Sequence, residues 1–154
     1  MGQVTNEQVN LYLRLFELRR EPRLREARDW FGNSFRVTTP EEMMKLCPPG
    51  SKENTFMRMV VGYWEMVASI VNRNQIDPDF YFENSGEEWM VWERVKPILP
   101  AWRTMFKNPH VFSNLEEHVK RMEAWREKRA PGSTDAMRQF IKELDQQAAK
   151  ATSA

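Results

Sequence analysis

Six carboxylates, Asp77, Asp79, Glu83, Glu87, Glu88 and Glu93, follow one another before the next basic residue, Arg94. Acids at this density suit general acid–base chemistry when burial keeps one of them protonated beside an ionised neighbour. The same acids also stand where helices begin, at the positive end of the helix dipole. Caps and first-turn acids on a solvated surface account for Asp77, Asp79, Glu87 and Glu88 one by one, and that reading is preferred.

Other chemistries find less. The two histidines, His110 and His118, each lack a glutamate three residues earlier, so the Glu-x-x-His of di-iron bundles is missing. No His-Glu-x-x-His and no Cys-x-x-Cys occurs, and a metal site is not expected. His118, between Glu117 and Val119, reads as an exposed helix residue. The single cysteine, Cys47, precedes Pro48-Pro49 at a helix end, where the dipole disfavours a thiolate. Gly-x-Ser-x-Gly and phosphate-cradling glycine loops are absent. No catalytic residue and no cofactor is expected, so the enzyme question leans to no.

Glu65 is the sharpest single case, because it lies midway along the most apolar segment on a stripe with Arg58, Gly62, Ser69 and Asn72. Buried, it needs a partner, since an unpaired buried charge costs several kcal/mol. Facing water, it needs nothing. The arginines Arg14, Arg19, Arg20, Arg23, Arg25 and Arg28 are interleaved with Glu17, Glu21, Glu26 and Asp29, a net of +2. Interspersed acids repel phosphate and favour ion pairs between helical turns, so nucleic-acid binding ranks low. Six tryptophans and ten methionines fall mostly at helical spacing and read first as core. An aromatic pocket or a methionine-rich groove is the functional alternative.

These residues need helices to place them. Thr5-Asn6-Glu7-Gln8 has the form of a capping box, followed by Val9, Tyr12, Leu13 and Phe16 as an inward face. Pro22 kinks or restarts that helix, which stops near Gly32-Asn33. Thr39-Pro40-Glu41-Glu42 starts a short helix that Pro48-Pro49-Gly50 ends. Residues 51–74 are apolar nearly all round, as expected of a helix packed on several sides. Asp77-Pro78 caps a short piece through Phe82. Residues 87–107 predict one helix bent at Pro97 and Pro100, both on its outer face, where water can take the freed carbonyls; a complete break near Pro97, making two helices, is the alternative. Ser113-Asn114-Leu115-Glu116 is a second capping box, heading a helix with Leu115, Val119, Met122 and Trp125 inward. After Pro131-Gly132, a last helix carries Met137, Phe140, Ile141 and Leu144 as one stripe.

A length of 154 residues fits one domain able to bury a core without metal or disulfide. The expected division is a helical core over 1–131 and a C-terminal helix with a frayed tail over 132–154, either in that domain or appended to it. With 41% apolar and 29% charged residues the chain is globular, and a net charge of +1 gives no field for nucleic acid or anionic lipid. No signal peptide or membrane span is apparent, and the lone cysteine fits a cytoplasmic setting.

Tyr63-Trp64-Glu65, then Asn72-Arg73-Asn74-Gln75-Ile76-Asp77, Tyr81-Phe82 and Trp92-Glu93-Arg94-Val95-Lys96-Pro97 resemble a bacterial family of small helical proteins known only as a domain of unknown function. The similarity runs in order over about residues 7–125, and the Trp-Glu-Arg-x-Lys-Pro block is its distinctive part. The chain departs at Asn74, where glycine is usual, and at Trp64, where an acid stands. The resemblance implies an all-helical fold and a helix-bridging ion pair between Glu65 and Arg94, and it brings no activity.

The sequence therefore predicts an all-α bundle of six or seven helices around the 51–74 helix. The leading functional expectation is a non-catalytic module that binds a protein partner or itself as a homo-oligomer. The alternative is a small-ligand-binding or weakly enzymatic domain with Glu65, Arg94, Trp92 and Arg58 as ligand or ion-pair candidates. Nucleic-acid binding through the 14–28 arginine run comes third.

Overall fold

The computed structural model describes residues 2–154. Among them are nine α-helices and no strand, rather than six or seven helices. The chain divides into two compact units, one through Val119 and one from Lys120 to Ala154.

The first unit opens with α1 (Asn6–Arg19) and α2 (Pro22–Ser34). Thr5 caps α1 by accepting from the Gln8 amide at 3.2 Å. Gln8 does not close the box; its Oε1 accepts from the Asp77 amide at 2.9 Å. The inward face of α1 is also rotated from the expected one. Leu15 is buried and Tyr12 half-buried, while Leu13 and Phe16 are exposed. Tyr12 sets this rotation by packing edge-on to Phe80 and Tyr81 and donating to the Asn84 carbonyl at 2.9 Å. Phe16 lies instead beneath the Arg19 guanidinium, 4.6 Å from its centroid. Pro22 restarts the helix, with the Glu21 side chain accepting from the Leu24 amide.

Thr39 caps α3 (Pro40–Leu46) and Ser51 caps α4 (Lys52–Asn72), each through a side-chain oxygen. α4 packs against α2, α5 (Pro78–Asn84) and α6 (Glu87–Val95). Its buried side chains include Phe56, Met57, Val60, Val61, Trp64 and Val67. The chain leaves α4 through Asn74 at φ 57°, a left-handed position that asparagine tolerates better than most non-glycine residues. Asp77 then caps α5, with Pro78 at its first turn.

The expected single bent helix over 87–107 is two helices, α6 and α7 (Leu99–Met105). Pro97 has no N–H to return to Glu93, and the next amide, Ile98, bonds back only three residues to Val95 at 3.1 Å. Pro100 falls in the first turn of α7, where an amide hydrogen has no intrahelical partner. Two prolines three residues apart thus end one helix and start another.

α8 (Ser113–Arg129) begins in the first unit, with Leu115, His118 and Val119 buried. The second unit holds the end of α8 and α9 (Ser133–Ser153). Gly132, at φ 86°, makes the turn between them. Glu127 accepts from the Gly132 and Thr134 amides at 2.8 and 2.9 Å, and Arg138 reaches Glu123 at 2.6 Å. On α9, Met137 and Ile141 are half-buried while Phe140 and Leu144 are exposed.

Candidate functional site

α7, which follows the break at Pro97, forms one wall of an apolar cavity of about 360 Å³. Ala101, Trp102 and Met105 contribute from α7, and Val111 and Phe112 from the segment that follows. Facing them are Met43 and Met44 of α3, Cys47 at its end, and Met57 of α4. Such a volume lies at the lower end of the usual range for small-molecule pockets, roughly 300–1,000 Å³. Burial pushes the Cys47 thiol up to about 11, with Glu53 adding to the effect, so this wall presents an inert sulfur.

The far wall is pinned by Arg103, whose Nε and Nη2 donate to the Val111 carbonyl at 3.1 and 3.0 Å. Its Nη2 also reaches Glu116 at 2.7 Å. Lys107 and Phe112 hold φ 50° and 52°, left-handed values that cost a side-chain-bearing residue energy. Trp102 and Phe112 meet at 5.9 Å within this wall.

Polarity enters the cavity through two side chains, Asn54 and Arg58, one turn apart on α4. The Asn54 amide nitrogen donates to the Cys47 carbonyl at 3.1 Å, and its oxygen accepts from Arg58 Nε at 3.1 Å. One of the five guanidinium hydrogens of Arg58 is thereby engaged. Its two terminal nitrogens meet no acceptor among the described residues.

A second cavity, about 230 Å³, lies between α2 and α6 and is lined by Arg28, Asp29, Glu87 and Arg94 among apolar neighbours. Arg28 holds Glu87 in a two-pronged pair at 2.7 and 2.5 Å, and Arg19 approaches the same carboxylate at 3.5 Å. Its charges are therefore matched from within, as in a structural ion-pair seam.

The sequence candidates fall in different places. Arg58 lines the apolar cavity and Arg94 the ion-paired one. Trp92 is half-buried and lines neither of these two cavities. Glu65 turns to the start of α8, where Oε1 accepts from the Asn114 backbone and side-chain amides at 3.1 and 3.0 Å and Oε2 from the Leu115 amide at 2.7 Å. Asn72, on the same stripe, donates to the Asn114 carbonyl. Glu65 thus supplies negative charge where α8 has unpaired amides. The expected local box is not what binds those amides, and Glu116 pairs with Arg103 instead.

Two expectations are corrected. His118 and Glu88 are both fully buried, neither being the solvated helix residue expected. His118 Nε2 lies 2.9 Å from Glu88 Oε1, and Ser85 Oγ donates to Glu88 Oε2 at 2.9 Å. The Tyr81 hydroxyl, pushed well above its ordinary pKa by burial, lies 3.2 Å from Ser85 Oγ. The burial of each partner explains the other, since a polar group inside a core needs a hydrogen bond. One signal was readable: His118 is three residues after Leu115 and four before Met122, on the inward face. Although serine, glutamate and histidine meet here, Ser85 contacts the carboxylate and not the imidazole, so the three do not stand in the order of a Ser-His-acid triad.

Among the described residues no group of three or more His, Cys, Asp or Glu is placed to hold a metal, and no helix is long and apolar enough to cross a membrane. No curated protein and no solved structure matches the chain. The family model described as "Domain of unknown function (DUF4760)" matches residues 4–122, and the chain belongs to that family.

Proposed function

We propose that the chain is a non-catalytic binding module whose working surface is the apolar cavity between α3, α4 and α7. The observation that carries this reading is a concave, methionine- and aromatic-walled space whose polar side chains are confined to Asn54 and Arg58. A wall of this kind holds an apolar guest by excluding water, and methionine adapts to its shape. The test is binding of the fluorescent probe anilinonaphthalene sulfonate. Saturable one-to-one binding that disappears in Ala101→Trp is expected, because Ala101 is exposed at the cavity wall and the indole fills the space. Equal binding by that variant and the parent would refute the reading.

The protein-interaction reading that led in the sequence comes second. Met44, Met105 and Phe106 are 55%, 64% and 62% exposed beside the same cavity, and an amphipathic partner helix is the occupant such a rim suits. A mass by sedimentation that stays monomeric at all concentrations would remove the self-association form of it. Nucleic-acid binding ranks below both, because Arg19, Arg23 and Arg28 face Glu87 or Glu26. A single buried thiol fits the cytoplasmic setting that we retain as part of the proposal.

A further inference from the structure

We infer that the apolar cavity takes a single-headed amphiphile, an alkyl chain ending in a carboxylate, with its head on Arg58 and its tail among the methionines. This rests on the binding reading above and adds the chemical class of the guest.

Three observations converge. The polar lining side chains, Asn54 and Arg58, are neighbours bonded to one another, so polarity is gathered at one spot of an otherwise apolar wall. A guest matching that distribution has one polar end and a long apolar remainder. Second, the two are not equally available. Asn54 is committed to the Cys47 carbonyl and to Arg58, whereas the terminal nitrogens of Arg58 remain open toward an acceptor. A guanidinium with two parallel donors matches a carboxylate better than a hydroxyl or an amide. Third, Arg58 is exposed while Met43, Cys47, Met57 and Trp102 are buried, so a head at Arg58 stays in water as the tail leaves it. Keeping the charge wet avoids the penalty of burying an ion, and the tail supplies the hydrophobic gain.

The size is consistent. A cavity of about 360 Å³, at the lower end of the roughly 300–1,000 Å³ of small-molecule pockets, suits an alkyl chain of medium length. The acid nearest the thiol, Glu53, influences Cys47 but does not line the cavity, so no lining carboxylate opposes an incoming one.

The experiment compares decanoate with decanol by titration calorimetry at neutral pH, below micelle-forming concentrations, with the part of the tryptophan fluorescence change that Trp102→Phe removes as a second readout. The two share a chain and differ in the head. Decanoate binding about two- to fivefold tighter than decanol is expected, from one solvent-exposed ion pair. Arg58→Gln, at an exposed position, brings the two affinities together while leaving decanol where it was. Higher salt weakens decanoate and spares decanol. Equal affinities in the parent protein, or a preference that survives Arg58→Gln, would overturn the assignment of the head group and leave the cavity reading standing. Binding of neither molecule would overturn both.

Discussion

Replacing Glu65 by alanine tests whether α8 is held by a carboxylate borrowed from α4. Glu65 accepts three hydrogen bonds from Asn114 and Leu115, at 3.1, 3.0 and 2.7 Å. Three charge-assisted bonds at about 1.5–3 kcal/mol each would overstate the loss, because the site is half-buried and water can replace part of it. A lost N-cap alone costs about 0.5–2 kcal/mol. Between these bounds we expect about 2–3 kcal/mol for Glu65→Ala and about 1 kcal/mol for Glu65→Gln, which keeps one acceptor. At about 2–4 °C per kcal/mol for a chain of this size, the alanine variant should melt about 5–10 °C lower. The assay is urea unfolding combined with amide exchange, read at Asn114 and Leu115. An exposed acid on α8 itself, Glu117→Ala, serves as control and should stay within about 0.5 kcal/mol of the parent. If Glu65→Ala behaves like that control, or if those two amides exchange no faster, the cap is not what holds the start of α8.

Removing the buried acid in Glu88→Ala strands His118 and Ser85 and should destabilise by about 3 kcal/mol or more, measured by urea unfolding; a loss below about 1 kcal/mol would contradict the network. Native Cys47, with its thiol raised from 9.0 to about 11, should alkylate about 100-fold more slowly at neutral pH than in urea, and equal rates in mass spectrometry would rule out that burial. Glu127 is held below its usual carboxylate range by the Gly132 amide and then the Thr134 amide. A depressed value means that this turn is stabilised above 4.5 and loses that stabilisation as pH falls through the lower folded value. Amide shifts of Gly132 and Thr134 should therefore move only in acid below 4.5, and titration above it would refute the assignment.

What the sequence disclosed was mostly local. Thr5, Thr39 and Asp77 announce helix starts because a cap and its amide lie three residues apart, and each forms, whereas the Ser51 cap of α4 was not read. Glu65 could be recognised as an acid in need of a partner, but Asn114 and Leu115 lie about fifty residues onward, beyond any spacing rule. The rotation of α1 was hidden for the same reason, since Tyr12 takes its direction from Phe80, Tyr81 and Asn84. The proline pair at 97 and 100 was visible, and whether it bends or divides the helix turned on a single amide, Ile98, reaching back three residues. Met57 and Trp102 could be read as core from their spacing, but no periodicity shows that residues of α3, α4 and α7 line one cavity.

The sulfurs along the cavity expose it to oxidants unequally. Met44 and Met105 stand in solvent, where peroxide reaches a thioether, whereas Met43 and Met57 are shielded. Conversion of the outer pair to sulfoxides would ring the entrance with strong acceptors without disturbing the interior packing. On the binding reading proposed above, the protein would stay folded while its hold on an apolar guest weakened, and methionine sulfoxide reductase would restore it.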